Sequence, residues 1–326
     1  MTTTRIINKD DLKIFKGKYY LPWFLNTVEH IEFIEPKKVV VLDLDETLGS
    51  FADLYILWSG IRHVWKDTSI FTELCDLYPE FLRYGILTIL EYLYEQKLQK
   101  ECDKIFIYTN NQCSGKWVYL ITKYLEDKIK KNYYVKPKLP LFDKTIEAFK
   151  INNIPVETAR SSHSKKIDDF LKCSLVSENA DICFIDDVHH PAMKGTKVYY
   201  INPKPYFHHL STTKIIERII KAPWIPKGIL SLELFWKDWF RMHQRKIVRK
   251  GKYDIEIDLQ VSQKIIYHLR EFMMFGKTPT FIKTSSRDRF SRKQRKRFEN
   301  KVDYRKTKKV RLPTTPSTTS TSTSTQ

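Results

Sequence analysis

The sequence predicts an α/β fold in which a parallel sheet carries helices on both faces. Three observations lead there. Short β-branched or aromatic runs occur at residues 38–44 (KVVVLDL), 104–108 (KIFIY), 182–185 (ICFI) and 197–201 (KVYYI), the pattern of strands buried on both faces. Stretches with apolar residues at helical spacing lie between them. The chain has 326 residues, 42% of them apolar; that is enough for one or two domains with a sizeable core and excludes a wholly disordered polypeptide.

Residues 1–36 form a mixed N-terminal extension that ends at Glu35-Pro36, where the proline turns the chain away from helix. After the first strand, residues 51–99 favour helix, with interruptions expected near Ser59-Gly60 and Tyr78-Pro79. The second strand follows. Residues 115–131 then place Trp117, Leu120, Ile121, Tyr124 and Leu125 at helical spacing, and 165–173 begin a further helix with Ile167, Phe170 and Leu171 on one side. The third and fourth strands complete an α/β region over 37–212. Residues 213–282 read as a helical extension, aromatic and basic. Within it Phe235, Trp236, Trp239 and Phe240 form an apolar helix face flanked by Arg241, Arg245 and Lys246; base stacking is the other use such residues have.

The net charge of +19 is unevenly distributed: residues 283–311 hold fourteen Lys/Arg against Asp288, Glu299 and Asp303, which is +11 in one arm. Such an arm suits attachment to nucleic acid or nuclear targeting, or serves as a solvated tail. The Ser/Thr-rich end that follows has almost nothing apolar to bury, so 283–326 is expected to be a disordered tail. Cys75, Cys102, Cys113, Cys173 and Cys183 are scattered without a C-x-x-C pair, which argues against a disulfide framework or zinc ribbon and suits a reducing compartment. No apolar run approaches membrane-spanning length, and the opening MTTTRIINKD lacks a signal-peptide core. A soluble intracellular protein, cytoplasmic or nuclear, with no membrane partner is expected. The absence of a G-x-x-x-x-G-K-[ST] segment excludes a P-loop enzyme.

Three strand ends carry polar residues: Asp43-Leu44-Asp45-Glu46-Thr47, Tyr108-Thr109-Asn110-Asn111 and Asp186-Asp187. Ligands of open α/β sheets bind outside the carboxyl ends of the strands, so these residues can converge. Asp43 and Asp45, two apart on an extended segment, project to one side. Paired carboxylates call for a cation or a shared proton between them, hence a Mg²⁺ site or a nucleophile–acid pair. His163, His189 and His190 lie nearby, either orienting a substrate or as loop histidines. Cys113 and Cys183 read as packed thiols.

DLDETL after an apolar strand resembles the first motif of the haloacid dehalogenase superfamily phosphatases, and DLDET is similar to the form found in phosphatases of the RNA polymerase II C-terminal domain (CTD), the small CTD phosphatases included. The resemblance covers about residues 36–202. It implies a haloacid dehalogenase-like Rossmannoid sheet, with 37–212 as the phosphatase domain. It implies that Asp43 is the nucleophile forming an aspartyl-phosphate, that Asp45 is general acid and then general base, and that Thr109 hydrogen-bonds phosphoryl oxygens. It also implies a helix-start lysine. Lys165, with Ile167 and Phe170 two and five residues on, fits that pattern better than Lys166. Mg²⁺ would be held by Asp43, the backbone carbonyl of Asp45, Asp186 and Asp187. The implied partner is a phosphorylated protein such as the CTD.

ICFIDDVHHPAM together with TNNQ is similar to versions encoded by large DNA viruses such as iridoviruses, which implies an infected host cell. Two departures stand out. Residues 78–83 read YPEFLR where cellular CTD phosphatases carry Arg-Pro-Gly, and residues 49–78 look helical and aromatic where those enzymes insert a small β-element with an apolar pocket. TNNQ also resembles the Thr-Asn-Gln of polynucleotide 3′-phosphatases in the same superfamily. Such a 3′-phosphatase, or a non-catalytic protein that binds a phosphorylated partner or nucleic acid, are the alternative functions.

Overall fold

The computed structural model describes residues 10–17, 37–65, 69–113, 116–133, 139–243 and 251–274. The basic arm over 283–311, the Ser/Thr-rich end, Arg245 and Lys246 lie outside the described residues. Along the chain run β1 (Leu12–Lys16), β2 (Lys38–Leu42), α1 (Ala52–Val64), α2 (Phe71–Leu77), α3 (Ile86–Leu98), β3 (Lys104–Tyr108), α4 (Trp117–Lys130) and β4 (Lys144–Ile146). A short hairpin of β5 (Lys150–Ile151) and β6 (Ile154–Pro155) follows, then α5 (Ile167–Ser174), β7 (Asp181–Ile185), β8 (Val198–Pro203), α6 (Thr212–Ile220), α7 (Glu233–Met242) and α8 (Lys252–Met274).

Six strands form one sheet in the order β1-β8-β7-β2-β3-β4, parallel throughout except for β1, which runs antiparallel to β8 at the edge. The four strands legible as apolar runs are the four central ones. Their residues divide by pleat between two cores. Val40, Leu42, Ile105, Ile107, Cys183 and Ile185 join the larger one, and Val39, Val41, Phe106, Tyr108, Ile182 and Phe184 join a smaller one closed by Phe170 and Cys173 of α5. Burial on both faces is why these strands lack polar alternation.

The structure corrects the expected elements in several places. The N-terminal extension supplies β1, so residues 12–16 belong to the sheet. β4 has only three residues, too few to show a period. The expected interruption at Ser59-Gly60 is absent, since α1 runs through both. Gly60 is there because α7 crosses close by: a Cβ would come within 2.7 Å of the Trp236 ring. The glycine thus marks a close helix approach and not a break. Within 49–78 the described residues hold the helices α1 and α2.

Residues 213–274 divide into α6, α7 and α8, and Ile215, Trp236, Ile257 and Leu269 enter the larger core; this extension belongs to the same compact unit as the sheet. Trp236 is fully buried with its indole N–H donated to the Leu230 carbonyl at 2.8 Å, and the Trp239 indole donates to the Ile56 carbonyl at 3.0 Å. Phe240 is buried as well. The aromatic face is therefore packing, which removes base stacking for Trp236 and Phe240. No disulfide joins the five cysteines, and burial pushes the Cys75, Cys102 and Cys183 thiols up, so these three behave as packed groups. Among the described residues no helix is long and apolar enough to cross a membrane.

Candidate active site

In chain order the strands leave β2 on one side through β3 and β4, then return to its other side as β7 and β8. The order reverses at β2, and the crevice between β3 and β7 at its carboxyl end is where such sheets bind ligands. Register brings the polar ends level: Leu42 lies opposite both Ile107 and Ile185, so Asp43, Tyr108-Thr109 and Asp186 follow at one height. The ladder continues into the site, with Asp43 N–H donating to the Ile185 carbonyl at 2.9 Å and Thr109 N–H to that of Ile146 at 3.0 Å.

Lys165 reaches into this crevice from the loop before α5. Its ammonium is buried and donates to Asp43 Oδ1 at 2.5 Å and to Asp186 Oδ2 at 2.6 Å. Lys166 turns away and donates to Ser161 Oγ at 3.0 Å. Asp187 completes the group: carboxylate oxygens of Asp43, Asp186 and Asp187 lie within 4.8 Å of one another. Thr47 ties Asp187 down, its hydroxyl donating to Oδ1 at 2.7 Å while accepting the Asp187 N–H at 3.0 Å.

The electrostatics follow from burying three like charges around one ammonium. Burial, with Asp186 and Asp187 adding to it, holds the Asp43 carboxyl well above the usual range against the pull of Lys165. Burial raises Asp187 too, with Thr47 opposing. Burial also acts on Asp186, but Lys165 and His190 outweigh it and leave that carboxyl low. For Lys165 itself burial disfavours the charge, yet Asp43 and Asp186 together leave the ammonium raised.

Asp45 stands apart from this cluster. Strand β2 ends at Leu42, and the chain bends through Glu46, whose φ of 53° is left-handed. The Asp45 carbonyl accepts the Thr47 N–H at 2.6 Å. Its carboxylate Oδ2 accepts from Asn111 Nδ2 at 2.7 Å. The Asn111 amide is itself oriented, because its Oδ1 accepts the Cys113 N–H at 2.8 Å. Thr109 Oγ1 accepts the Asn111 N–H at 3.0 Å, a bond that does not use the hydroxyl hydrogen. Asn111 thus touches both Asp45 and Thr109. It lies inside the TNNQ segment, but nothing in the sequence pairs it with Asp45.

Two buried arginines also escape a reading of the sequence. Arg83 donates from Nε to the Thr47 carbonyl and from Nη2 to that of Glu46, each at 2.6 Å, and to the Lys204 carbonyl at 2.9 Å. It pins the turn that follows Asp45. Arg160 does the same for the loop after β3. It donates to the carbonyls of Thr109 (3.0 Å), Glu147 (2.7 Å) and His163 (3.0 Å) and to Asn110 Oδ1 (2.7 Å), with its guanidinium over the Tyr108 ring.

Of the three histidines, His190 Nε2 lies 3.4 Å from Asp186 Oδ2. His189 packs against Phe15 and Tyr200, and His163 contributes its carbonyl to Arg160.

Asp43, Asp186 and Asp187 can therefore hold a metal ion, beside a lysine, a hydroxyl and a fourth carboxylate. No family model, no curated protein and no solved structure matches this chain.

Proposed function

We propose that this chain is a Mg²⁺-dependent phosphomonoesterase of haloacid dehalogenase type, acting on phosphorylated protein through an aspartyl-phosphate intermediate. The observation that carries the reading is the buried Lys165 ammonium bridging Asp43 and Asp186 beside Asp187, at the point where the strand order reverses. An all-carboxylate set of hard oxygen donors suits Mg²⁺. One ammonium against three carboxylates leaves the divalent charge a place. Asp43, Asp186 and Asp187 would hold the ion, with the Asp45 carbonyl as a further oxygen. Bound there, Mg²⁺ supplies positive charge that polarises a phosphoryl oxygen.

The residues divide the chemistry between them. An oxygen of Asp43 attacks phosphorus as the bond to the leaving oxygen breaks, and Asp45 delivers a proton to that oxygen. Asp45, now a carboxylate, accepts a proton from a water whose oxygen bonds to phosphorus while the bond to Asp43 breaks. Inorganic phosphate leaves and Asp43 is restored. Lys165 pulls Asp43 toward the ionised form, against burial, and offsets the charge of the transferring group, and the Thr109 hydroxyl donates to one of its oxygens.

The test is hydrolysis of a generic aryl phosphate, with Mg²⁺ and with a chelator, by the wild type and Asp43→Asn. Turnover that needs the metal and falls at least about a thousandfold in the variant is the expected result. Turnover retained by Asp43→Asn removes the covalent route. A folded wild type without turnover moves the reading to a protein that binds a phosphorylated partner.

A further inference from the structure

Asp186 and Asp187 are neighbours in sequence, yet a carboxylate oxygen of each lies within 4.8 Å of the other and of Asp43. In an extended strand successive side chains point to opposite faces, so the pair converges only if the chain leaves the strand between them. It does so here. β7 ends at Ile185, the Asp186 N–H still donates to the Ile201 carbonyl at 3.2 Å, and the chain bends at Asp187. A residue of β8 holds that bend. Asn202 is buried, and its Nδ2 donates to the Asp186 carbonyl at 2.7 Å and to the Asp187 carbonyl at 2.9 Å. Two successive carbonyls, which would point opposite ways along a strand, thus accept from one nitrogen.

A carboxamide suits this place because its nitrogen carries two hydrogens, one for each oxygen. Past the end of a ladder a carbonyl loses its strand partner, and a buried one left unpaired is costly. The same face of β8 secures the rest of the loop. Tyr200, two residues earlier and so on the same side, donates its hydroxyl to the Val188 carbonyl at 2.7 Å and accepts the His190 N–H at 3.0 Å. The Val188 N–H donates in turn to Asp186 Oδ1 at 2.8 Å. Tyr200 therefore fixes the exit of the turn, Thr47 the side chain and N–H of Asp187, and Asn202 the carbonyls of both acids. Asn202 takes no part in the proposed chemistry.

We infer that Asn202 is a positioning residue for a divalent cation: by holding both carbonyls it keeps Asp186 and Asp187 turned toward Asp43, and cation affinity depends on it. The inference rests on the metal site of the reading above, and the test separates it from the catalytic part. Removing a group that orients metal ligands typically costs about 10- to 100-fold in metal affinity.

Asn202→Leu keeps the size of the side chain and removes both donors. Asn202→Ser, which keeps one hydroxyl donor on a shorter stem, is the second variant should the first not fold. Glu271→Gln is the control, because it weakens the contact to Tyr199 of the same strand without touching the acids. Mg²⁺ binding to the full chain is measured by calorimetric titration, alongside the rise in melting temperature that Mg²⁺ produces over chelator. Asn202→Leu should weaken Mg²⁺ binding at least about tenfold and Asn202→Ser at least about threefold, each with a smaller melting shift. Glu271→Gln should stay within about twofold of the wild type, since its partners are remote from the acids. The Mg²⁺ dependence of aryl phosphate hydrolysis should move by the same factors. A variant that melts lower in chelator yet binds Mg²⁺ as the wild type does overturns the inference, because Asn202 would then serve the fold alone. An equal loss of affinity in Glu271→Gln overturns it too. A wild type that binds Mg²⁺ but hydrolyses no phosphate ester removes the catalytic reading, and the titrations still decide the role of Asn202. A wild type that binds no Mg²⁺ overturns both.

Discussion

Truncating Asn111 to alanine isolates the orientation of Asp45 from the rest of the site. The side chain makes two hydrogen bonds. One, to the Cys113 N–H, decides which end of the amide is oxygen; the other then presents an N–H to Asp45 Oδ2 at 2.7 Å. The Asn111 backbone bond to Thr109 Oγ1 survives the truncation. As Asp45 hands over its proton it becomes an ionised acceptor, and a hydrogen bond to such an acceptor is worth about 1.5–3 kcal/mol. A step in which Asp45 gives up its proton should therefore slow by up to about 10- to 150-fold.

The assay is kcat/KM for a series of phosphate monoesters, from nitrophenyl to simple alkyl. In the proposed mechanism that parameter reports on events up to formation of the aspartyl-phosphate, where Asp45 would protonate the leaving oxygen. A nitrophenolate departs without a proton, so its kcat/KM should fall no more than about threefold, whereas alkyl esters should show the full loss. A uniform loss across the series refutes the reasoning, because it would mean that Asn111 shapes binding or the Thr109 loop instead. No loss for alkyl esters refutes it equally. Asn111→Asp, which sets a carboxylate against Asp45, should steepen the same dependence.

Further outcomes are expected elsewhere in the fold. Lys165→Met leaves Asp43 and Asp186 buried without their shared ammonium and should cost about 3–5 kcal/mol in denaturant melts, with part of the loss recovered in Mg²⁺; a neutral effect would mean that the bridge is dispensable. Gly60→Ala drives a Cβ to within 2.7 Å of the Trp236 ring and should cost about 1–3 kcal/mol, measured the same way. Glu271 of α8 accepts from Lys16 of β1 and, at 2.7 Å, from the Tyr199 hydroxyl. Burial works to raise its carboxyl, but these partners outweigh it and hold the group low. A carboxyl held low contributes stability above the ordinary glutamate range and loses it as pH falls through the depressed value. The melting-temperature gap between wild type and Glu271→Gln should therefore be full at neutral pH and close in acid; a gap independent of pH would refute that role.

The strands that place the site were legible because burial on both faces forces an uninterrupted apolar run, and a polar residue at the end of such a run has to serve something other than the core. That logic picks out Asp43, Thr109 and Asp186-Asp187. It fails for β4, whose three residues show no period, and for β1, whose place beside β8 depends on a contact between residues nearly two hundred apart. Gly60 misled for a related reason, since the sequence displays a small residue but not the helix that requires it. The α7 aromatics were readable as a face, while the α1 surface that receives them was not.

Arg83 and Arg160 were the least legible residues of the site, and what they do explains why. Neither touches the clustered carboxylates; each donates several hydrogen bonds to carbonyls of loops that leave β2 and β3. Past a strand end, backbone carbonyls lose their ladder partners, and a buried one left unpaired is costly. A guanidinium can serve several such oxygens at once because its donors lie in a planar fork, which an ammonium cannot reproduce. Burial brings the Arg83 pKa down to about 10, still charged at neutral pH. The turn after Asp45 is thus held by a cation as well as by its own backbone hydrogen bonds, and the same positive charge favours the ionised form of Asp187. Rigid loops and a field opposing the carboxylate cluster come from the same residue, an economy that only the folded chain reveals, because every acceptor of Arg83 lies at least 36 residues away in sequence.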